Sequence, residues 1–290
     1  MKTRALKLFL ILTLCLQAHA STGTELAGVL TFLLKQIPTR PSFAMTGSEF
    51  VKYVSAMDEP TREQAILAQI IKGNLPDFLR KLKPVQLVER FSDEKTMTAT
   101  LFVMPDYLAI GSDKDFLPIP MGYYTATEIA VKLGFILPTK KIVDAIFQQS
   151  SVHFTPEPMP PGPRMRSTAY YVKHHQKIEE QRLALACPLD ALVSGHKKDI
   201  VLTNRLAREI GKIAIYGWHR LSGSPIQPLS TVHGASYADY SHGIRLVSDL
   251  VLIDGEPSYV YSVLEDPKLA RILSDEGAIP KVRKLMTLRY

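Results

Sequence analysis

Residues 85–104, VQLVERFSDEKTMTATLFVM, decide the fold class of this chain. Val85 to Phe91 and Thr96 to Met104 are strand-like runs, and Ser92-Asp93-Glu94-Lys95 is the turn between them. Met97, Ala99, Leu101 and Val103 alternate with threonines and Phe102, the period of a strand with one face in a core, so the two runs form an antiparallel pair. Upstream the period is helical. Leu26, Val29, Leu30, Leu33 and Leu34 mark one helix, and Phe50, Val51 and Val54 a second. Pro60-Thr61-Arg62-Glu63 opens a third, which carries Ile66, Leu67, Ile70 and Ile71 and stops at Gly73-Asn74. A short fourth helix is expected over 75–82.

Downstream, 113–120 reads as a loop, 125–133 as a helix ended by Gly134, and 138–146 as another helix. Residues 168–184 make a polar helix with His174 and His175 on its solvent side. Strand signals return at 200–202, 213–216, 244–253 and 258–263, with Asp254-Gly255 as a hairpin turn between the last two. A closing helix covers 267–273. Helices first and antiparallel strands later indicate an α+β chain: a helical N-terminal part followed by a mainly antiparallel β C-terminal part. Residues 156–163 hold five prolines and a glycine. That stretch (156–166 with its flank) is either a linker between an α+β region at 21–155 and another at 167–290, or a loop crossing the surface of one domain.

The first twenty residues carry a separate message. Lys2, Arg4 and Lys7 precede the apolar run Leu8 to Leu16, and Ala18-His19-Ala20 is a small-x-small cleavage site, the pattern of a secretory leader. Export is expected, to the periplasm or outside, with cleavage near Ala20. The apolar run is too short to span a bilayer and no later stretch is long enough, so no transmembrane anchor is expected. Losing the leader takes three charges off the formal +7, and the remaining basic residues are scattered, which argues against nucleic acid as a partner. Cys15 leaves with the leader, so Cys187 has no disulfide partner and reads as a buried small hydrophobe.

Four of the eight histidines fall between 196 and 242, in GHKKD (195–199), IYGWH (215–219) and TVHGASYADYSHGIRL (231–246). Imidazoles, aromatics and an aspartate crowded among few apolar positions mark a site better than a core. His233, His242, Asp239, His219 and Ser241 are the catalytic candidates. Arg245, Trp218, Tyr237, Tyr240, His196 and Lys198 would hold substrate, Arg245 by gripping a carboxylate bidentately. His219, His233 and His242 are also acceptable ligands for a divalent metal such as zinc, although no HExxH pattern is present. The cofactor, if any, and the oligomeric state are left open by the residues. A GxSxG elbow is absent as well. Asp106, Asp113 and Asp115 read as turn and capping residues, Lys141 and Asp144 as a surface pair on a helix, and Lys197-Lys198 as solvated or anion-binding.

Two resemblances follow from these motifs. Val232-His233-Gly234-Ala235 with Ser241-His242-Gly243-Ile244-Arg245-Leu246 resembles the HG…SHGC segment of L,D-transpeptidases, which implies peptidoglycan chemistry. Ile244 stands where that family has its cysteine, so the thiol step is excluded. The chain also resembles a family of exported bacterial proteins through MPDYLAIGSDKDF (104–116), ILPTKKIVDAI (136–146), GHKKD, IYGWH, PIQPL (225–229) and YADYSHGIRLV (237–247). That likeness implies export and no particular reaction. The expectation is an exported hydrolase or transferase acting on a cell-envelope peptide or glycan-peptide through a His/Asp site. The alternative is a secreted, non-catalytic protein that binds an envelope ligand in the same groove.

Overall fold

The computed structural model describes residues 37–92 and 94–287; the leader and the helix marked by Leu26 to Leu34 lie outside them. The described chain is α+β. Helix α1 (Gly47–Val54) begins at a capping box in which Thr46 and Glu49 satisfy each other's backbone amides. Helix α2 (Glu59–Ile71) begins at Asp58, whose carboxylate accepts from the Thr61 amide, with proline in its first turn. The segment expected as a fourth helix is a single 3-10 turn, Asp77–Arg80.

Strands β1 (Lys83–Arg90) and β2 (Thr96–Val103) pair antiparallel from Lys83↔Val103 to Arg90↔Thr96. Val85 and Leu87 of β1 are buried on one face, as their alternation requires. Phe102 and Val103 are both buried, because β2 is covered on both faces at that end. Where a loop was expected at 113–120, the chain makes a hairpin of β3 (Ala109–Ser112) and β4 (Asp115–Pro118). Four-residue strands are too short for alternation to show. Asp113 and Asp115 do act as caps: they accept from the amides of Phe78 and Ser48, respectively.

Helix α3 (Tyr123–Leu133) ends at Gly134 in the left-handed region. Strand β5 (Phe135–Ile136), helix α4 (Lys140–Gln149) and strand β6 (Val152–His153) follow. The polar helix is α5 (Thr168–Ala184), capped by Ser167. Then come β7 (Val193–Ser194), β8 (Lys198–Ile200), β9 (Ile215–His219), β10 (Pro225–Ser230), β11 (His242–Gly243), β12 (Val247–Ile253) and β13 (Glu256–Tyr259). The last strand gives way to helix α6 (Val260–Glu265), so of the strand expected at 258–263 only residues 258 and 259 are extended. A 3-10 turn (Leu269–Ile272) replaces the closing helix, and α7 (Val282–Leu285) is last.

Two sheets organise these elements. In the first, β12 takes β2 on one edge, and β5 followed by β13 on the other. In the second, the order is β10-β9-β8-β11, antiparallel except for the parallel pair β8/β11. Residues 242–253 run from the second sheet directly into the first, so one segment belongs to both. The proline-rich stretch lies against the body, with Met159 buried and its amide donating to the Tyr240 hydroxyl. The main core gathers side chains from Ile37 to Met286. A small second cluster of Phe154, Ile178, Cys187 and Val193 lies under α5, where Cys187 is buried as expected.

Two glycines separate conformational from steric requirements. Gly255 has φ +88° with open space around an added Cβ, while Gly111 has φ +127° and an added Cβ would fall 2.2 Å from the Asp115 carbonyl oxygen. Gly255→Ala is expected to cost about 1 kcal/mol, the left-handed penalty alone. Gly111→Ala is expected to cost on the order of 3 kcal/mol or more, because the hairpin backbone must move as well. Urea denaturation midpoints of the two variants check the ranking.

Candidate functional site

The three histidine-bearing motifs meet in the second sheet. Strand β8 of GHKKD lies between β9 of IYGWH and β11 of YSHG. The register pairs His242 with Lys198 and Gly243 with Asp199, and Asp199 with Tyr216. Alternation therefore puts Lys198 and His242 on one face, Asp199 and Tyr216 on the other. Strand β9 departs from that rule at Gly217 and Trp218, both at positive φ (109° and 56°). The irregularity turns Trp218 to the Lys198 face, where the ammonium sits 5.1 Å from the indole ring. It returns His219 to the face of Tyr216.

The Lys198 face holds the candidate site. His233 and Tyr237 stack with ring centroids 4.0 Å apart and 8° between planes, both half-buried. Arg166 covers the Tyr237 ring at 5.1 Å and is ion-paired with Glu59. Beneath them lies His242, 1% exposed, its ring 6.3 Å from that of His233 and 5.6 Å from that of Tyr237. Asp239 Oδ2 is 4.0 Å from His242 Nε2 and accepts from the Tyr237 hydroxyl at 3.1 Å. Its Oδ1 accepts from the backbone amide (2.8 Å) and hydroxyl (2.5 Å) of Ser241. Neither ring nitrogen of His242 has a hydrogen-bond partner. Burial pushes the His242 and His233 imidazoles below their ordinary range, so both are neutral near pH 7. Burial opposes ionisation of Asp239, but the Ser241 hydrogen bonds and the nearby Lys198 outweigh it and hold the carboxyl low.

The connection 231–241 is held by main-chain bonds. The Ile213 amide donates to the His233 carbonyl, the Ala235 amide to Gly211, and the Tyr123 amide at the start of α3 to the Ala235 carbonyl. His233 is thus a loop residue fixed to a helix end, as site residues commonly are.

The opposite face is a separate, saturated network. Asp144 of α4 accepts from the Tyr216 hydroxyl (2.7 Å), His219 Nε2 (3.2 Å) and the Lys140 ammonium (2.7 Å). His219 stacks on Phe147 at 4.7 Å. It does not join His233 and His242, so the expected catalytic and metal set falls apart. Among the described residues no group of three or more His, Cys, Asp or Glu side chains could hold a metal ion.

Several expected contact residues serve the interior instead. Arg245 is fully buried; it donates to the carbonyls of Met104 (3.0 Å) and Val193 (2.6 Å), with its guanidinium 4.3 Å from the Tyr107 ring centroid. A carboxylate in solution has no path to it. His196 is sealed between the Tyr107 and Phe154 rings with Nε2 3.3 Å from Asp106. The Tyr240 hydroxyl is tied to the Met159 backbone, and Ser241 is inaccessible. Of the expected set, Lys198, His233 and Tyr237 are the half-buried members; Asp239 and His242 lie directly beneath, and Trp218 forms a wall.

Sequence reasoning missed the buried charge network. Asp106, read as a turn residue, accepts from Arg182 at 2.6 Å, and the Tyr107 hydroxyl donates to Asp199 at 2.9 Å. Burial alone would raise Asp106, but His196, Arg182 and Arg245 hold it well below the usual carboxylate range. Burial pushes Asp199 up to about 6 and Lys197 down to about 7. His174, expected to face solvent, is 0% exposed against Tyr240 with both nitrogens unpartnered. No sequence signal marked it, since α5 is polar all round and offers no stripe to show its inner face. Asp144, read as pairing with Lys141, pairs with Lys140, while Lys141 reaches Glu89.

Acid sensitivity follows from these histidines. Burial holds His174, His196 and His242 below their ordinary value and His175 at about 4, whereas the unfolded chain protonates near pH 6.5. Between pH 6.5 and 4 the unfolded state binds more protons at these groups, so they make stability fall as pH falls. Urea denaturation across that range is expected to show it. His174→Gln should flatten the slope by about one proton.

No family model, no curated protein and no solved structure matches this chain.

Proposed function

We propose that this chain is an exported hydrolase or transferase acting on a cell-envelope peptide or glycan-peptide, with His233 as the acid–base group. One observation carries the reading. His242 is buried with both ring nitrogens unpartnered, beside a carboxylate and under a half-buried second imidazole. His174 is buried with both nitrogens unpartnered as well, so what distinguishes His242 is its place beside Asp239 and under the half-buried His233 ring, where an arriving water or ligand would complete it.

The chemistry follows from the protonation states. Neutral His233 takes a proton from an attacking water or hydroxyl and returns it to the leaving amine or alcohol. Lys198, partly buried, in its protonated form steadies the oxygen that gains negative charge at the attacked carbonyl. Tyr237 fixes the His233 ring by stacking and is itself tied to Asp239. Trp218 walls the substrate side. Export comes from the leader pattern. It agrees with the absence, among the described residues, of a helix long and apolar enough to cross a membrane.

A specific observation favours the binding-protein alternative. The Ser241 hydroxyl donates to Asp239 and not to an imidazole, and Ile244 is a core residue, so neither position presents a nucleophile. An enzyme of this kind must use water or an incoming acceptor directly.

On purified cell wall, His233→Ala and His242→Ala are each expected to lower turnover by roughly 10²-fold or more while remaining folded. The rate should rise with pH through the depressed His233 pKa, below 6.5, and fall as Lys198 loses its proton, below 10.5. Full activity in both variants removes the assignment. Binding of wall fragments without products in the parent protein establishes the alternative.

A further inference from the structure

Helix α5 ends in a run of apolar side chains that faces solvent. Leu183, Ala184, Leu185 and Ala186 are all exposed, Leu183 at 79% and Leu185 at 54%, and Pro188 continues the surface beyond the buried Cys187. Other large apolar side chains in the open, such as Phe43, Val88 and Leu221, stand singly among the described residues. Single exposures are ordinary; four in succession serve no core and mark a contact surface.

The turn that carries the run is fixed. The Cys187 amide donates to the Arg182 carbonyl (3.0 Å) and the Ala186 amide to the Leu183 carbonyl (3.1 Å), the bond pair of a Schellman helix end. Ala186 holds the left-handed position of that motif at φ 47°, where glycine is usual. Arg182, on the inner side of the same turn, is buried and donates to Asp106 at 2.6 Å. The two leucines are therefore presented to solvent on an anchored helix end.

The exposed charges that adjoin the run are two carboxylates and two ammonium groups, unevenly paired. Glu180 lies one helical turn before Leu183, is exposed, and has no cation within ion-pair distance among the described residues. Past the turn, Asp190 is shared by Lys81 and Lys83 at 3.6 Å each, and the Lys81 side chain is the more exposed, 62% against 32%. One carboxylate is unpaired before the leucines and one ammonium is in excess after them. A set without net charge gives an anionic lipid surface nothing to grip. It does suit a second copy of itself: a two-fold axis through the leucines sets Glu180 of each chain toward Lys81 of the other, since an isologous contact repeats every pair.

We infer that two copies of this chain pair through the end of α5, with Leu183 and Leu185 at the centre and a Glu180–Lys81 contact on either side. The run is short, so the interface is at the small end of specific contacts and the dimer is weak and concentration-dependent. Tyr171, whose hydroxyl donates to the Ala238 carbonyl in the loop of the His233 site, stands roughly 18 Å back along the helix from Leu183. Pairing therefore leaves that site open, and the inference does not depend on the acid–base reading.

Sedimentation equilibrium of the purified protein, over loading concentrations from micromolar to millimolar, tests it. A monomer–dimer equilibrium is expected. Leu183→Ser with Leu185→Ser should weaken it at least tenfold, as should Glu180→Lys or Lys81→Glu alone, while Glu180→Lys combined with Lys81→Glu in one chain should restore it. Every side chain changed is exposed, and unaltered circular dichroism and thermal midpoints certify the fold of each variant. A monomer at all concentrations, a dimer indifferent to the leucine substitutions, or a double charge reversal no tighter than the single ones overturns the inference. So does leucine-dependent sedimentation with phosphatidylglycerol vesicles in place of self-association. His233→Ala should leave the dimer intact, and the leucine variant should leave turnover on cell wall intact, so the two proposals stand or fall separately.

Discussion

A guanidinium with no access to water lies where the chain passes from one sheet to the other. Arg245 lies in the segment that leaves β11 of one sheet and enters β12 of the other, and its two terminal nitrogens hold the carbonyls of Met104 and Val193. A lone buried charge would be prohibitive; here carbonyl oxygens, the Tyr107 ring and the field of Asp106 and Asp199 accept it. Asp106 in turn anchors Arg182 of α5 and His196 before β8. Helix α5, β8 and the start of β12 are thereby located relative to one another by ionic contacts that tolerate little displacement.

That constraint positions the candidate site. With residues 242–246 drawn between the sheets, His242 falls in parallel register with Lys198 and lies under the loop that carries His233. The pleat then sorts the side chains. Lys198 and His242 share one face with Trp218, while Asp199, Tyr216 and His219 occupy the other with Asp144. A single irregularity at Gly217 and Trp218 decides which residue of the IYGWH motif reaches which face. An added Cβ at Gly217 would lie 3.4 Å from the His219 ring, so space is adequate and the backbone angle is what demands glycine.

The interior of this protein gathers several charged groups in one region. Asp106, Arg182, His196, Lys197, Asp199 and Arg245 are buried together. Burial keeps the imidazoles around them neutral until the pH falls well below the ordinary imidazole range, and protonating them then disfavours the folded state. The His233 site borders this region without belonging to it, which leaves its imidazole free to exchange protons with solvent while the scaffold keeps its charge state.

Local periodicity and turn chemistry were enough for much of the fold. The pair 85–91 and 96–104, the helices starting near 138 and 168, the stop at Gly134 and the Asp254-Gly255 turn depend on contacts within a few residues, and each is legible from spacing. The short hairpin at 109–118 was not, since strands of four residues carry too little pattern. For the candidate site, the sequence by itself singled out the GHKKD, IYGWH and YSHG motifs, which lie on adjacent strands of the second sheet. It could not divide them: proximity along the chain made His196, His219, His233 and His242 look like one constellation. Only the tertiary structure decided that His219 belongs to Asp144, His196 to Asp106, and His233 with His242 to a third place. The physical reason is that strand pleat and register assign each side chain to a face, and that buried charges find partners more than fifty residues away.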